Sequence, residues 1–269
     1  MSEPAPLRDI IKHYGLGARK SLGQHFLLDL NLCARIARIT GDLSGVNVIE
    51  IGPGPGGLTR ALLDTRAATI TAVERDSRCI KALNELTAAH PGRLRIIEAN
   101  ALETDVTALA PKPRRIVANL PYNVATPLLL GWLGQITAFD GLALMFQKEV
   151  AERLTAGPGA KSYGRLSIIT QWLCEARLEF NVSKQAFTPP PKVASSVVTL
   201  TPRAQPLAPA NRDNLEDVTA KAFGQRRKML RSSLKTLNLD FTALGIEPTA
   251  RAEELTVEQF CAIALASGK

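Results

Sequence analysis

Hydrophobic positions along the first two thirds of this chain alternate between short β-branched runs and longer stretches with helical spacing. The runs at 46–51, 69–74, 94–98, 115–118 and 142–147 each predict a buried strand. Between them the spacing predicts helices at 7–14, up to Thr40 with Asp29 or Asn31 as cap and Gly41 as stop, from Leu58, at 77–88, and from near Pro127. A helix at 148–156 is stopped by Gly157-Pro158-Gly159, and 193–200 reads as the last strand. A Pro-rich linker over 201–210 then separates it from helical spacing at 213–223, 226–237 and 256–266. Strands alternating with helices predict an α/β fold with a parallel sheet. The domains are expected at 1–203 and, small and helical, at 211–269.

The first of these strands runs directly into Gly52-Pro53-Gly54-Pro55-Gly56-Gly57, which neither a strand nor a helix interior tolerates. Strand, tight turn and helix in that order make a ligand site at the carboxyl edge of a parallel sheet. Missing side chains let the backbone approach a ligand closely. Gly52, Gly54 and Gly57 also satisfy the dinucleotide fingerprint G-x-G-x-x-G. The two prolines argue against a dinucleotide, because each removes an amide N–H that would cradle a pyrophosphate. A turn that holds a nucleoside without phosphate does not need those donors. Glu50, an acid at the end of the strand, would repel phosphate and suits a cationic amine. A plain turn, with glycines for geometry alone, is the alternative.

Glu74 ends the second strand, 22 residues beyond Gly52. An acid there, on the neighbouring parallel strand, can accept both hydroxyls of a ribose; a surface glutamate is the alternative. Asn100 follows the third strand, where it can read an adenine edge or simply build a turn. The fourth strand ends in Asn119-Leu120-Pro121-Tyr122, whose chemistry is more specific. An exocyclic amine conjugated to a purine is a poor nucleophile, because its lone pair is delocalised. Accepting its two N–H groups, on the Asn119 side-chain oxygen and a following backbone carbonyl at Leu120, shifts the nitrogen toward tetrahedral geometry. Pro121 adds no competing donor and stiffens the turn. Tyr122 offers a ring on which a base can stack, worth roughly 1–3 kcal/mol in comparable platforms. Phe187 precedes the stiff Pro189-Pro190-Pro191 run, which predicts a ring held out as the second face around a flipped base. Anchoring the same loop in the core is the alternative reading of Phe187.

Composition narrows the setting. A formal charge of +8 and a pI near 9.5 suit a polyanionic partner. Four scattered cysteines show neither zinc spacing nor a disulfide framework, and fit a reducing cytosol. No apolar run reaches membrane length and the first residues lack a leader pattern, so a soluble, cytoplasmic protein is expected. Basic residues gather in the glycine-rich segment 15–29, with Gln24, His25 and Phe26 as polar and aromatic handles, and in a loop up to Arg165. Lys221, Arg226, Arg227, Lys228, Arg231 and Lys235 lie within 15 residues without an acid. On one helix, Arg227 and Arg231 would share a face.

The segments Leu22-Gly23-Gln24-His25-Phe26-Leu27, Glu50-Ile51-Gly52-Pro53-Gly54, Glu74, and Asn119-Leu120-Pro121-Tyr122-Asn123 are joined by three more. These are Gln147-Lys148-Glu149-Val150, Tyr163-Gly164-Arg165-Leu166-Ser167 and Phe187-Thr188-Pro189-Pro190-Pro191-Lys192-Val193. Over essentially the whole chain they resemble the bacterial ribosomal RNA small-subunit adenine dimethyltransferases. Asn-Leu-Pro-Tyr is widespread among amino-group methyltransferases, and the last three segments are what point to this family. The resemblance implies a doubly wound, Rossmann-like methyltransferase sheet with a small C-terminal helical domain that contacts RNA or the ribosome. It implies S-adenosylmethionine as cofactor, contacted around His25, Leu27 and Gly52, with Glu74 on the ribose and Glu50, Asn100 and Asn119 completing the set. Asn119, Leu120, Tyr122 and Phe187 would be catalytic, and no metal is implied. The substrate would be two adjacent adenines in the 3′-terminal hairpin of 16S rRNA, in the 30S subunit or its precursor, modified by a monomer. The family usually carries aspartate where Asn100 stands. Asparagine still accepts through its amide oxygen, so a weaker cofactor contact is implied, tightened by Asn100→Asp. Two rivals remain: an adenine methyltransferase acting on large-subunit rRNA, and an assembly factor that binds pre-30S particles without catalysis.

Overall fold

In the computed structural model, which describes residues 5–18, 23–225 and 227–268, the β-branched runs form the strands of one central sheet. Leu22 of the first motif, Arg19 and Lys20 of the basic segment, and Arg226 of the basic run lie outside the described residues. The chain begins with α1 (Leu7–His13), the short strand β1 (Phe26–Leu27) and α2 (Leu30–Ile39). Asp29 caps α2, accepting from the Leu32 N–H at 3.1 Å. There follow β2 (Asn47–Ile51), α3 (Gly57–Leu63), β3 (Thr69–Glu74), α4 (Ser77–Ala89), β4 (Leu94–Glu98) and β5 (Arg114–Asn119). Next come α5 (Tyr122–Leu133), β6 (Gly141–Gln147), α6 (Lys148–Thr155), α7 (Arg165–Leu173), β7 (Cys174–Val182) and β8 (Phe187–Thr188). β9 (Ser195–Pro202), α8 (Arg212–Gly224), α9 (Leu230–Ser233) and α10 (Val257–Ser267) complete the series.

The strand order is β4-β3-β2-β5-β6-β9-β7. β2 pairs in parallel with β3 and β5, β3 with β4, and β5 with β6, whereas β6 and β9 are antiparallel. All five residues of β2 are buried, as expected of a parallel strand covered on both faces. The chain winds outward through β3 and β4, then returns and winds the other way through β5 and β6. The reversal lies between β2 and β5, and the crevice at their carboxyl ends is where such sheets bind ligands. Val48, Leu62, Ile70, Leu83 and Val117, all fully buried, fix the core beneath it. A separate antiparallel ribbon sets Leu27 of β1 opposite Phe187 of β8.

Two compact units emerge: Met1–Lys148 with Leu178–Thr201, and Glu149–Arg177 with Pro202–Lys269. The expected boundaries of 1–203 and 211–269 put residues 149–177 with the sheet, yet α6 and α7 cluster with the C-terminal helices. Within this second unit the fully buried Tyr163 meets Phe223 edge-on at 6.2 Å, and Phe223 lies 5.7 Å from Phe260. That aromatic cluster joins the segment before α7 to α8 and α10.

Two helices differ from expectation. α5 begins at Tyr122, with Pro121 as its N-cap, and carries Pro127 inside. Burial of Ala125, Leu128, Leu129 and Trp132 outweighs the one hydrogen bond that proline removes. The helix expected at 226–237 is broken. Met229 is extended and bridges to Arg251, the Leu230 N–H donates to the Ala250 carbonyl, and only α9 and a 3₁₀ turn at Lys235–Leu237 are helical. Tertiary pairing overrides helical spacing there, so Arg227 and Arg231 do not share a helix face. Among the described residues no helix is long and apolar enough to cross a membrane.

Candidate active site

The turn between β2 and α3 is closed upon itself. Gly52, Gly54 and Gly56 have φ values of 67°, 57° and 91°, which residues with a Cβ rarely adopt. The Gly52 N–H donates to the Val73 carbonyl at 2.9 Å and the Gly56 N–H to the Pro53 carbonyl at 3.0 Å. The Gly54 N–H donates to Glu74 Oε2 at 3.0 Å. Pro53 and Pro55 have no N–H at all. From 52 to 56, therefore, the turn offers a phosphate no amide. A Cβ on Gly57 would lie 2.4 Å from the Leu27 carbonyl oxygen, so β1 rests directly on the start of α3. This close approach carries His25 and Leu27 to the crevice.

Two buried carboxyls face the same cavity. Glu74, 5% exposed, accepts from the Arg75 and Asp76 N–H groups on Oε1, both at 2.8 Å, besides Gly54 on Oε2. Burial pushes its pKa up and those backbone bonds pull it down. Glu50, 1% exposed, has an Oε2 with no partner among the described residues. Burial, with the Glu74 charge adding, pushes its carboxyl up to about 8. The Thr59 hydroxyl, itself buried and without a close partner, pulls the other way.

At the end of β5, Asn119 Nδ2 donates to the His25 carbonyl at 3.3 Å, which leaves Oδ1 as the acceptor for a ligand. Tyr122 opens α5, and its hydroxyl lies 2.5 Å from Ser195 Oγ on β9. The His25 ring is 5.5 Å from the Tyr122 ring, tilted by 31°. His25 Nδ1 lies 2.8 Å from the Pro189 carbonyl; a carbonyl only accepts, so the proton sits on Nδ1. Asn100 stands on the opposite wall, its amide engaged with Glu103 and Leu102.

His25, Leu27, Glu50, Gly52, Glu74, Asn100 and Asn119 thus border one cavity, together with Leu120 and Tyr122. Phe187 does not. It is 2% exposed and packed in the core, with its backbone paired to Leu27, so the ring expected on a stiff arm lies buried. Sequence reasoning gave no role to Ser195 or to Asp76. Asp76 accepts from Gln24 Nε2 at 3.0 Å and from Arg78 at 3.0 and 2.7 Å, while Arg78 also reaches the Gly17 carbonyl at 3.3 Å. The Arg78 hydrogen bonds hold Asp76 down at about 2, and the cluster ties Gly17 and Gln24 to the start of α4. The one signal for it was the Asp-Ser-Arg cap before α4.

A model of the family described as ribosomal RNA adenine dimethylase matches residues 15–267. The chain belongs to this family. It is 62% identical over 271 residues to the ribosomal RNA small subunit methyltransferase A of Paramagnetospirillum magneticum, covering 99% of this chain and 96% of that protein. Its counterpart from Rhodospirillum rubrum is 61% identical over 264 residues, covering 97% and 92%. Among solved structures, the 23S rRNA methyltransferase ErmE is 26% identical with a TM-score of 0.72, covering 91% of this chain and 100% of that one. A dimethyladenosine transferase from Plasmodium falciparum is 27% identical with a TM-score of 0.72, covering 88% and 94%. As an adenine dimethylase the protein is a methyltransferase, and its sheet is the Rossmann-like sheet shared with both structures.

Proposed function

We propose that this dimethylase transfers methyl groups from S-adenosylmethionine to N6 of two adjacent adenines in the 3′-terminal hairpin of 16S rRNA. It would act in the cytoplasm as a monomer, on the 30S subunit or its precursor, in step with subunit biogenesis. Higher identity to the small-subunit methyltransferases than to ErmE favours the small-subunit substrate. The observation that carries the chemistry is Asn119, whose amide nitrogen is tied to His25 while its oxygen remains for a substrate amine.

The residues present suit the cofactor. The turn after β2 gives phosphate no donor and gives a nucleoside close backbone. Glu50 offers an unmatched buried carboxyl to the α-ammonium, Glu74 an acceptor to the ribose, and Asn100 an amide to the adenine. Bound there, S-adenosylmethionine supplies an electrophilic methyl group on a sulfonium. Asn119 Oδ1 and the Leu120 carbonyl accept the two N–H groups of the target adenine and turn its lone pair toward that methyl group. Tyr122, fixed by Ser195, gives the base a stacking face. Positioning of this kind contributes on the order of 7–11 kcal/mol at best. In the helical unit, the exposed Arg227, Lys228 and Arg231 are the groups to meet rRNA phosphate, whereas Lys221 is paired with Asp217 at 2.5 Å.

The test uses 30S subunits from a strain lacking the enzyme, with mass spectrometry of the digested rRNA. The wild-type protein should place N6,N6-dimethyladenosine at two adjacent positions of 16S rRNA. Methylation of 23S rRNA in its place would overturn the assignment. For the helical unit, neutralising the three basic residues should flatten the salt dependence of RNA binding by roughly 0.7–0.9 for each phosphate left without its cation. An unchanged slope would reduce their charge to a solvated face.

A further inference from the structure

Residues 23–27 border the cavity as one continuous segment, and hydrogen bonds tie that segment to two of its walls. On the wall that carries Glu74, Gln24 Nε2 donates to Asp76 Oδ2 at 3.0 Å. Asp76 is a firm anchor, only 4% exposed. Its N–H donates to Glu74 Oε1 at 2.8 Å, and its carboxylate accepts from Arg78 at 3.0 and 2.7 Å. On the wall that carries Tyr122, the carbonyl of the next residue, His25, accepts from Asn119 Nδ2 at 3.3 Å. A Cβ on Gly23 would lie 2.7 Å from Asn123 Oδ1, so the segment also presses on the first turn of α5. Neighbouring residues thus grip the two walls.

A primary amide is nearly symmetric in shape, and rotating it by half a turn exchanges donor for acceptor. The His25 carbonyl can only accept, so it keeps Nδ2 of Asn119 toward itself and leaves Oδ1 over. At 3.3 Å that bond is already long, and a small displacement of the carbonyl breaks it. Beyond the carbonyl, the segment is fixed by the pairing of β1 with β8 and by Leu27 against Gly57. Before it stand Gly23 against Asn123 and the hydrogen bond of Gln24 to Asp76.

We infer that Gln24 is a positioning residue for methyl transfer: anchored on Asp76, it holds the His25 carbonyl where that carbonyl orients the Asn119 amide. The inference rests on the reading of Asn119 as the acceptor of the target amine. The acid read as the ribose acceptor and the amide read as the amine acceptor then belong to one bonded series, Glu74, Asp76, Gln24, His25 and Asn119. With Gln24 released, the peptide at His25 swings about the end of β1, and the Asn119 amide turns its donors as readily as its oxygen toward the substrate. Turnover falls while the cofactor still binds.

Single-turnover methylation of unmethylated 30S subunits at saturating S-adenosylmethionine tests this on the full chain. Calorimetry with S-adenosylhomocysteine and thermal unfolding accompany it for each variant. Gln24→Met keeps the length of the side chain and removes its donors. It should lower the rate roughly threefold to tenfold, the scale of one hydrogen bond, with S-adenosylhomocysteine affinity unchanged. In an Asn119→Ala background the same substitution should cost nothing more, because Gln24 acts through that amide. Gln24→Glu sets a second carboxylate against Asp76 and should also slow the reaction; adding Asp76→Asn restores the bond with donor and acceptor exchanged, and with it the rate. Three results would each overturn the inference: a parent rate in folded Gln24→Met, a loss confined to S-adenosylhomocysteine affinity, or a further loss in the Asn119→Ala background. A folded parent protein that leaves 16S adenines unmethylated would instead overturn the functional reading beneath it.

Discussion

The turns that follow β2 and β5 end neighbouring strands at the switch point, and they are held in opposite ways. The glycine turn is fixed from within: its amides are absent or bonded to Val73, Pro53 and Glu74, and Pro53 to Gly57 are buried. The Asn119–Tyr122 turn is fixed from outside. Asn119 is tied to a carbonyl 94 residues away and Tyr122 to a hydroxyl 73 residues away. The first turn leaves over a buried carboxyl, the second an amide oxygen. On the proposed function, one shapes a place for the cofactor and the other presents a group to the reacting amine. Substitutions in the two turns should fail differently.

The largest expected effect belongs to the second turn. Asn119→Ala should lower kcat on 30S subunits by about 10²–10³-fold with RNA affinity nearly unchanged, as when an interaction made only in the transition state is removed. An effect confined to KM would erase the distinction between the turns. Gly57→Ala attacks the first turn, where the new methyl would meet the Leu27 carbonyl. Denaturant unfolding should show a destabilisation of about 1–3 kcal/mol, with cofactor affinity falling alongside it. Parent stability would mean that β1 does not bear on α3.

Glu50 sharpens the comparison through protons. Its pKa is raised from 4.5 to about 8, mainly by burial, so the folded protein without ligand holds a proton that the unfolded chain has shed. Stability accordingly falls as pH rises from about 4.5 to about 8, and Glu50→Gln should remove that part of the fall. The neighbouring Cys33, itself raised to about 12, stays neutral throughout. On the proposed function, pairing with the cofactor ammonium should ionise Glu50. Titration calorimetry at pH 7, in buffers of different ionisation enthalpy, should register close to one proton released by the parent and none by Glu50→Gln. The smallest effect is that of Ser195→Ala, which frees the Tyr122 hydroxyl at about 0.5–1.5 kcal/mol. Tyr122→Phe should match it in kcat, and the double variant should be no worse than either; additive losses would show that the two groups act separately.

Legibility in the sequence followed burial. β3 and β4 have the limits that their runs predicted: β3 is buried from Ile70 to Glu74, while β4, at the sheet edge, buries Leu94 and partly covers Ile96 and Ile97. α7 and β7 were not anticipated. Ile168-Ile169-Thr170 in α7 is β-branched and carries no helical stripe, while β7 exposes Glu175, Leu178 and Glu179 and so lacks a continuous apolar run. The break at Met229 depends on a bridge to Arg251, which no local pattern encodes. The place of Glu50, Glu74 and Asn119 at the cavity was readable because they lie at or beside strand ends, and strand ends converge at the switch point. Ser195 was not, since it acts on Tyr122, 73 residues away, and neither was the bond of Asp76 to Gln24, 52 residues before it. Phe187 went astray because the proline run after it says how the loop is stiffened and nothing about which way the ring points.

The ribbon of β1 and β8 also sets a schedule. His25 and Pro189 are 164 residues apart, so the rim of the site is closed by two segments synthesised far apart in time. A chain emerging from the ribosome can stack β2 to β6 and complete the glycine turn while the partner for residues 25–27 is still unmade. Until β8 arrives, the His25 ring lacks the Pro189 carbonyl and Leu27 lacks its ribbon partner, although β1 already rests on α3. A nascent chain therefore acquires its cofactor floor first and the rim closed by Pro189 last. Fragments released before residue 187 should leave 16S rRNA unmodified even where they bind S-adenosylhomocysteine.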